Sequence, residues 1–547
     1  MRNKTVFLSL LALADVVFPA ESMNRHFRIL LILLLPGVAH AEQSMTDVTA
    51  SKPPGPYCPV SAEQLDAVKS YQADQPLVGT HFFYWYDIES KAHFVNYDGT
   101  DALTDHPAVS KGYSYKSAAW WKRELLDVMA AGIDFILPVY WGCPGDYDSW
   151  SFKGLPPLVR AWEELVREGK QPPRVGLFYD TSTLRHNPRG WHVDLSTDAG
   201  KRWFYATIRD YFSLIPPKMW AAIGGRPIIV LYGPGFAAKQ DPALFPFVRE
   251  QFQRDFATDM LLVKHLGWEG EADALCSWGG ALGLKAYDVA SLGPGYDHSA
   301  VPNRRPLVVD RESGAFYERQ WKQFLSHNLK RRANVVLVET WNELHEGTDV
   351  CDSKEFGRQY IELTAKYAKL FRDGTVLPKT GPFANATQVA WDAGRSDEQL
   401  GLSLRNSGDG LMVPLELAGR KCWRTRQSEH GGKYGYFDLD DSFMFDEERA
   451  TLLVEMEYLD AGFGSFAVEY DSSDLAASVR EGAFCPLGSS TVCDDTGQWK
   501  TTTRRINAGR FANRCNGGDF RIAVTGGDLV IRRVVAKRGR SKSSDGS

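Results

Sequence analysis

The sequence predicts an α/β protein: a (β/α)8 TIM barrel followed by a C-terminal all-β sandwich module. Three observations predict it. The 547 residues are too many for one ordinary domain and suit two. Between residues 77 and 372, eight short apolar runs alternate with helical patterns, the mark of parallel βαβ units. From about Leu400 the texture changes to short alternating segments punctuated by Gly and Asp, which reads as a sandwich.

The N-terminus reads as an export leader. Met23-Asn-Arg-His-Phe-Arg28 is basic, Ile29 to Leu35 is an apolar run too short to span a bilayer, and Ala39-His-Ala41 is a small-x-small cleavage pattern. A signal peptide over residues 1–41 is expected, and with it a secreted or periplasmic protein beginning near Glu42. Met23 is an alternative start, because Met1 to Ser22 holds a weaker basic-then-apolar run. No later segment is apolar enough to cross a membrane. Cys58, Cys143, Cys276 and Cys351 precede the texture change, and Cys422, Cys485, Cys493 and Cys515 follow it. That usage fits an oxidising compartment, with Cys485–Cys493 as the expected bridge across a short Gly/Ser loop. Residues 42–76 are polar and Pro-containing and read as a spacer.

The eight strands are expected over 78–84, 135–140, 175–179, 227–232, 260–264, 274–277, 289–292 and 335–339. Helices are expected over 118–131, 157–168, 201–213, 244–256 and 316–330, with a closing helix over 352–372. A catalytic domain over 77–372 follows from this alternation. A doubly wound sheet is the alternative, but no glycine-rich phosphate loop follows the first strand. Residues 373–399 read as a linker, 400–538 as the sandwich, and 539–547, basic and Ser-rich, as a disordered tail.

A net charge of -5 gives no sign of a nucleic-acid partner, and a monomer is expected. Aromatic residues make up 12%, which serves either core packing or the stacking of sugar rings. In a barrel, function gathers where strands end. Those ends carry His81, Tyr84, Trp85, Tyr140, Trp141, Asp180, Tyr232, Trp278 and Tyr296, and after the last strand Glu339, Asn342, Glu343, His345 and Glu346. Together they describe a polar, aromatic-walled cleft for a carbohydrate. Alternation would put Glu339, Trp341 and Glu343 on one side, while a tight loop would bring Glu343 and Glu346 together. Close carboxylates split their pKa values, and glycosidic cleavage needs such a pair. Glu343 and Glu346 are therefore the candidate catalytic residues, with the others binding substrate. No metal site and no cofactor is expected, since the spacing lacks the His-x-x-x-His of zinc proteases; a serine nucleophile would want Gly-x-Ser-x-Gly after a strand, which is missing.

Asn342-Glu-Leu-His-Glu-Gly-Thr348 resembles the Asn-Glu-Trp-His-Glu-Gly-Thr signature of glycoside hydrolase family 99, the endo-α-mannosidase and endo-α-mannanase family. It is also similar to a related group of secreted bacterial proteins of undefined function. That group shares the Gly79-Thr-His-Phe-Phe-Tyr-Trp-Tyr86 and Ala131-Gly-Ile-Asp-Phe-Ile-Leu-Pro-Val-Tyr-Trp141 stretches. The resemblance implies a retaining hydrolase in which Glu343 deprotonates the sugar 2-hydroxyl and Glu346 acts as acid and then base. Leu344 stands where the family has Trp. Two other readings stay open. One is a catalytically silent glycan-binding protein. The other is a conventional retaining glycosidase, whose Asn-Glu ends strand four, where this sequence has no glutamate. In the sandwich, Trp423, Tyr434, Tyr436 and Trp499 either stack on sugar or pack the core. Asp438, Asp440, Asp441 and Asp446 either hold calcium or form a solvated acidic loop.

Overall fold

The structure, a computed structural model, describes residues 44–539 apart from 306, 328, 330–331, 397–398, 407–408, 429–430, 475 and 478–481. The expected signal peptide over residues 1–41 and the tail from residue 540 lie outside the described residues. Among the described residues, no helix is long and apolar enough to cross a membrane.

The first two thirds of the chain is mixed α/β around one sheet of parallel strands. These are β1 (Leu77–Phe82), β2 (Phe135–Tyr140), β3 (Leu177–Tyr179), β4 (Arg226–Leu231), β5 (Leu261–His265), β6 (Ala274–Cys276), β7 (Val289–Leu292) and β8 (Val335–Val338). They neighbour one another in the order β6-β5-β4-β3-β2-β1-β8-β7. β1 and β2 are buried along their whole length, as strands covered on both faces must be, which is why they read as continuous apolar runs. Helices α1 (Ala118–Ala130), α2 (Leu155–Arg167), α3 (Asp198–Leu214), α4 (Leu244–Phe256), α5 (Ala315–Leu325) and α6 (Gln359–Arg372) lie between and after them. Ser117 and Thr197 start α1 and α3 by accepting the N–H groups of Trp120 and Gly200 at 3.2 and 3.0 Å. α6 begins seven residues later than the sequence suggests, because Gly357 sits at φ 55° and interrupts helical geometry.

No α-helix follows β5 or β6; the β6–β7 connection holds only the 3-10 turn Gly280–Leu282. β6 and β7 lie side by side but, among the described residues, share no ladder. The C-terminal module packs against this connection. Arg510 donates to the Ala286 carbonyl at 2.9 Å, and Phe445 stacks on His327 of the α/β unit at 5.3 Å. Phe445 and Ala512 are buried within the α/β unit's own core.

The module is two antiparallel sheets packed over a second core. One contains β9 (Gln388–Asp392), β11 (Met412–Leu417), β12 (Arg420–Thr425), β14 (Ala450–Asp460), β17 (Gln498–Gly509) and β19 (Val530–Arg538). The other contains β10 (Leu402–Arg405), β13 (Tyr434–Leu439), β15 (Phe463–Tyr470), β16 (Cys485–Asp494) and β18 (Phe520–Gly526).

Three expectations are corrected. β9 lies inside the expected linker, and it pairs with β19 from Gln388↔Lys537 to Asp392↔Arg533. The expected spacer is folded against α3. Val48 is buried, Arg209 donates to the Thr49 carbonyl, and Gly55 lies so close to Ser213 that any side chain there would collide with backbone. Cys485 and Cys493 sit at the two ends of one strand, β16, about 26 Å apart at the usual strand rise, so they cannot bridge. All eight cysteines are free thiols.

Candidate active site

After β8 the chain leaves the sheet and folds into a tight loop, so the expected alternation of Glu339, Trp341 and Glu343 does not hold. Thr340 N–H donates to Thr348 O (2.8 Å), Val350 N–H to Thr340 O (3.1 Å), and Trp341 N–H to His81 O (2.9 Å). The three side chains part company. Glu339 accepts from the N–H groups of Gly279 and Gly280 at 2.9 and 2.8 Å and from the Ser291 hydroxyl. Trp341 reaches outward and donates to Glu124 at 3.0 Å. Glu343 turns into the cleft, its N–H held by the Thr340 hydroxyl at 2.8 Å. Asn342 ties the loop to the end of β1 by pairing with both the N–H and the carbonyl of Phe83, at 2.8 and 2.7 Å. Beneath the loop, Arg311 donates to Asp105 and Asp349 at 2.7 and 2.8 Å.

The loop delivers Glu343, His345 and Glu346 to one cleft of about 970 Å³, open to solvent at its mouth. Its walls include Trp85, Trp141, Asp180, Tyr232, Trp278 and Tyr296, so nine of the residues singled out from sequence meet there. The other five do not line it. Tyr84 points to the helix layer and donates to Ser151 O at 2.7 Å. Tyr140 is wholly buried against Phe152 and Tyr211. His81 lies under the floor, edge-on to Phe178 at 4.5 Å and to Trp278 at 5.0 Å, and burial lowers its pKa to about 3. Asn342 is the loop's anchor. Glu339 borders only a small pocket behind Tyr296 and Glu346. Leu344 is fully buried outside the cleft wall.

Burial raises the Glu343 pKa, with the neighbouring Glu346 adding to the rise and His345 opposing it. Glu343 Oε1 faces His345 Nδ1 at 2.7 Å, while Oε2 is buried without a protein partner. His345 Nε2 faces the His93 carbonyl at 3.0 Å and can only donate there. Burial likewise raises Asp180, which accepts from Trp141 Nε1 at 2.5 Å. It raises Glu339 to about 7.

Sequence reasoning missed Arg304. It lines the cleft from the loop after β7 and donates to Glu346 at 2.7 Å. An arginine in an irregular loop carries no periodic signal, so only the fold brings it to the motif. Among the described residues, no group of three or more His, Cys, Asp or Glu side chains could hold a metal ion.

A family model for a domain of unknown function, DUF5010, matches residues 64–379, more than half of the chain. The chain belongs to this family. No curated protein matches this DUF5010 member. Among solved structures, it is similar to a GH99 endo-alpha-mannosidase from Bacteroides thetaiotaomicron, at 17% identity and a TM-score of 0.42, over 56% of this chain and 99% of that one. It is also similar to a glycoside hydrolase-like protein, at 17% identity and a TM-score of 0.40, over 55% of this chain and 96% of that one. A third is the C-terminal CBM6 of LamC, a marine laminarinase from Zobellia galactanivorans, at 14% identity and a TM-score of 0.18, over 28% of this chain and 99% of that one.

In the sandwich, Tyr436 is buried and hydrogen-bonded to Asn516 and Arg521, at 2.9 and 2.7 Å, and the Arg521 guanidinium covers the Tyr434 ring at 3.7 Å. Neither ring is an open platform. Trp423 packs at the edge of the module's core, and Trp499 is half-buried on β17. The acidic stretch is not a solvated loop. Asp438 pairs with Arg405, Asp440 accepts from Ser442, Asp441 accepts from Asn513, and Asp446 pairs with Arg510.

Proposed function

We propose that this protein is an exported glycoside hydrolase, built on a (β/α)8 barrel, that cleaves an oligo- or polysaccharide with retention. One observation carries the reading. Glu343 and Glu346 reach the same aromatic-walled cleft, and Glu343 presents a buried oxygen with no protein partner. Buried polar atoms seek partners, and a sugar hydroxyl in this cleft would supply one.

The roles follow the motif resemblance. Glu343 takes the proton of the substrate 2-hydroxyl, whose oxygen attacks the anomeric carbon. The bond to the leaving oxygen breaks as Glu346 delivers its proton, giving a 1,2-anhydro sugar. Glu346 then deprotonates water, which reopens the anhydro ring, and Glu343 returns the proton to the 2-oxygen. A base works best with a pKa near the operating pH, so the upward push on Glu343 suits this task. The sandwich is read as a glycan-binding companion, and export as directed by residues 1–41.

The test is a panel of polysaccharides and aryl glycosides with the purified full-length protein. New reducing ends are expected, with retained configuration in the first-formed product by NMR. A 2-deoxy or 2-fluoro analogue should be inert. Binding without new reducing ends, on glycans it demonstrably holds, would leave a silent binder. Neither binding nor cleavage of any glycan would remove the reading. N-terminal sequencing of protein recovered outside the cytoplasm should begin near Glu42.

A further inference from the structure

We infer that the substrate carries an anionic substituent, a carboxylate or sulfate on a sugar beside the scissile bond, and that Arg304 binds it. The inference rests on the glycan reading of the cleft and narrows it to acidic glycans.

Arg304 lies in the wall of the cleft, with its side chain 12% exposed. One guanidinium nitrogen, Nη1, donates to Glu346 Oε1 at 2.7 Å. The other, Nη2, is buried without a hydrogen-bond partner. A desolvated cation is costly unless an opposite charge answers it. In this structure, Glu346 gives that answer. During cleavage it does not, because Glu346 must hold a proton to deliver to the leaving oxygen and is then neutral. At that stage the reacting sugar is itself developing positive charge, so an uncompensated guanidinium nearby opposes the reaction. Among the described residues, the wall's other carboxylates are Glu343 and Asp180. Glu343 is engaged with His345, and Asp180 with Trp141 and Ser182. The balancing charge therefore has to come from the substrate. A planar fork with one arm taken and one arm unpaired matches a carboxylate or sulfate oxygen better than a neutral hydroxyl, for which a neutral donor would serve.

The experiment compares matched pairs of polysaccharides with the full-length protein. A polyuronate is set against its carboxyl-reduced neutral form, and a sulfated glycan against its desulfated form. The two pairs separate the two sources of charge. For one pair, kcat/KM is expected to favour the acidic member by about 10- to 100-fold, the usual worth of one charge-assisted hydrogen bond. Arg304→Gln should erase that preference, bringing the ratio of kcat/KM for the acidic and neutral members to about one, whatever its effect on the absolute rates through Glu346. Arg304→Lys, which keeps the charge but loses the fork, should retain part of the preference. Thermal unfolding of both variants checks that they fold. Equal or better cleavage of the neutral members by the wild type overturns the inference and leaves the glycosidase reading intact. So does a preference unchanged by Arg304→Gln. Failure to bind or cleave any glycan overturns both.

Discussion

Glu339→Gln tests the electrostatics of the motif loop. The Glu339 carboxyl is 2% exposed, and burial carries it from its ordinary 4.5 to about 7 despite two backbone N–H donors and the Ser291 hydroxyl. The folded state therefore binds a proton that the unfolded state releases between those two values. This contribution is complete below about 4.5 and is lost as pH rises through about 7, and the interval corresponds to about 3 kcal/mol. The amide keeps the shape and an oxygen for the two glycine N–H groups, but it does not titrate. Urea unfolding of wild type and variant at pH 5 and pH 8 isolates the effect, because the other buried carboxyls are common to both proteins. Moving from pH 5 to pH 8 should cost the wild type about 2–3 kcal/mol more than it costs Glu339→Gln. Parallel losses in the two proteins would refute the argument.

Glu343→Gln and Glu346→Gln should each lower turnover about 100- to 10,000-fold, with Glu346→Gln sparing activated aryl leaving groups, measured by initial rates. Glu339→Gln, whose side chain borders only the small rear pocket, should stay within about tenfold. Arg311→Met should destabilise the fold by about 3–5 kcal/mol, read by denaturant unfolding, because it strands Asp105 and Asp349 without their cation. Phe445→Ala should cost about 3–5 kcal/mol and split a single calorimetric transition into two, since Phe445 is buried in the α/β core from the sandwich side. A chain ending at Pro378 should melt early or aggregate; a soluble truncated protein with an unchanged α/β melting transition would contradict the docking described above. Peptide mapping without reductant should find no Cys485–Cys493 link.

The strands of the parallel sheet were legible because most of them are buried on both faces and so read as apolar runs. Val335–Val338 stood out as such a run, and the motif after it by its three glutamates within eight residues. What the motif does next was not legible. Strand alternation holds only while the ladder continues, and after Val338 the chain bonds to itself through Thr340, Thr348 and Val350. Alternation also explains which aromatic residues miss the cleft. Tyr84 follows Phe82 to the helix side of β1, and Phe82 there stacks on Trp121. Arg304 and His93 come from irregular loops, where sequence carries no period. Residues 42–76 looked like a spacer because their anchoring contacts, at Val48, Thr49 and Gly55, are isolated and match no template. β9 escaped because a five-residue edge strand flanked by turn residues resembles a linker.

The unpaired flank between β6 and β7 has a consequence for the order in which the chain is made. Both strands leave the ribosome well before Arg510, which donates to the Ala286 carbonyl in the connection between them. During that interval β6 and β7 each present one unladdered edge, and exposed strand edges recruit other chains. Biogenesis of this protein therefore depends on shielding an incomplete sheet until its last third arrives. Slowing translation between β7 and the sandwich, with synonymous rare codons, should lower the soluble yield without changing a single residue.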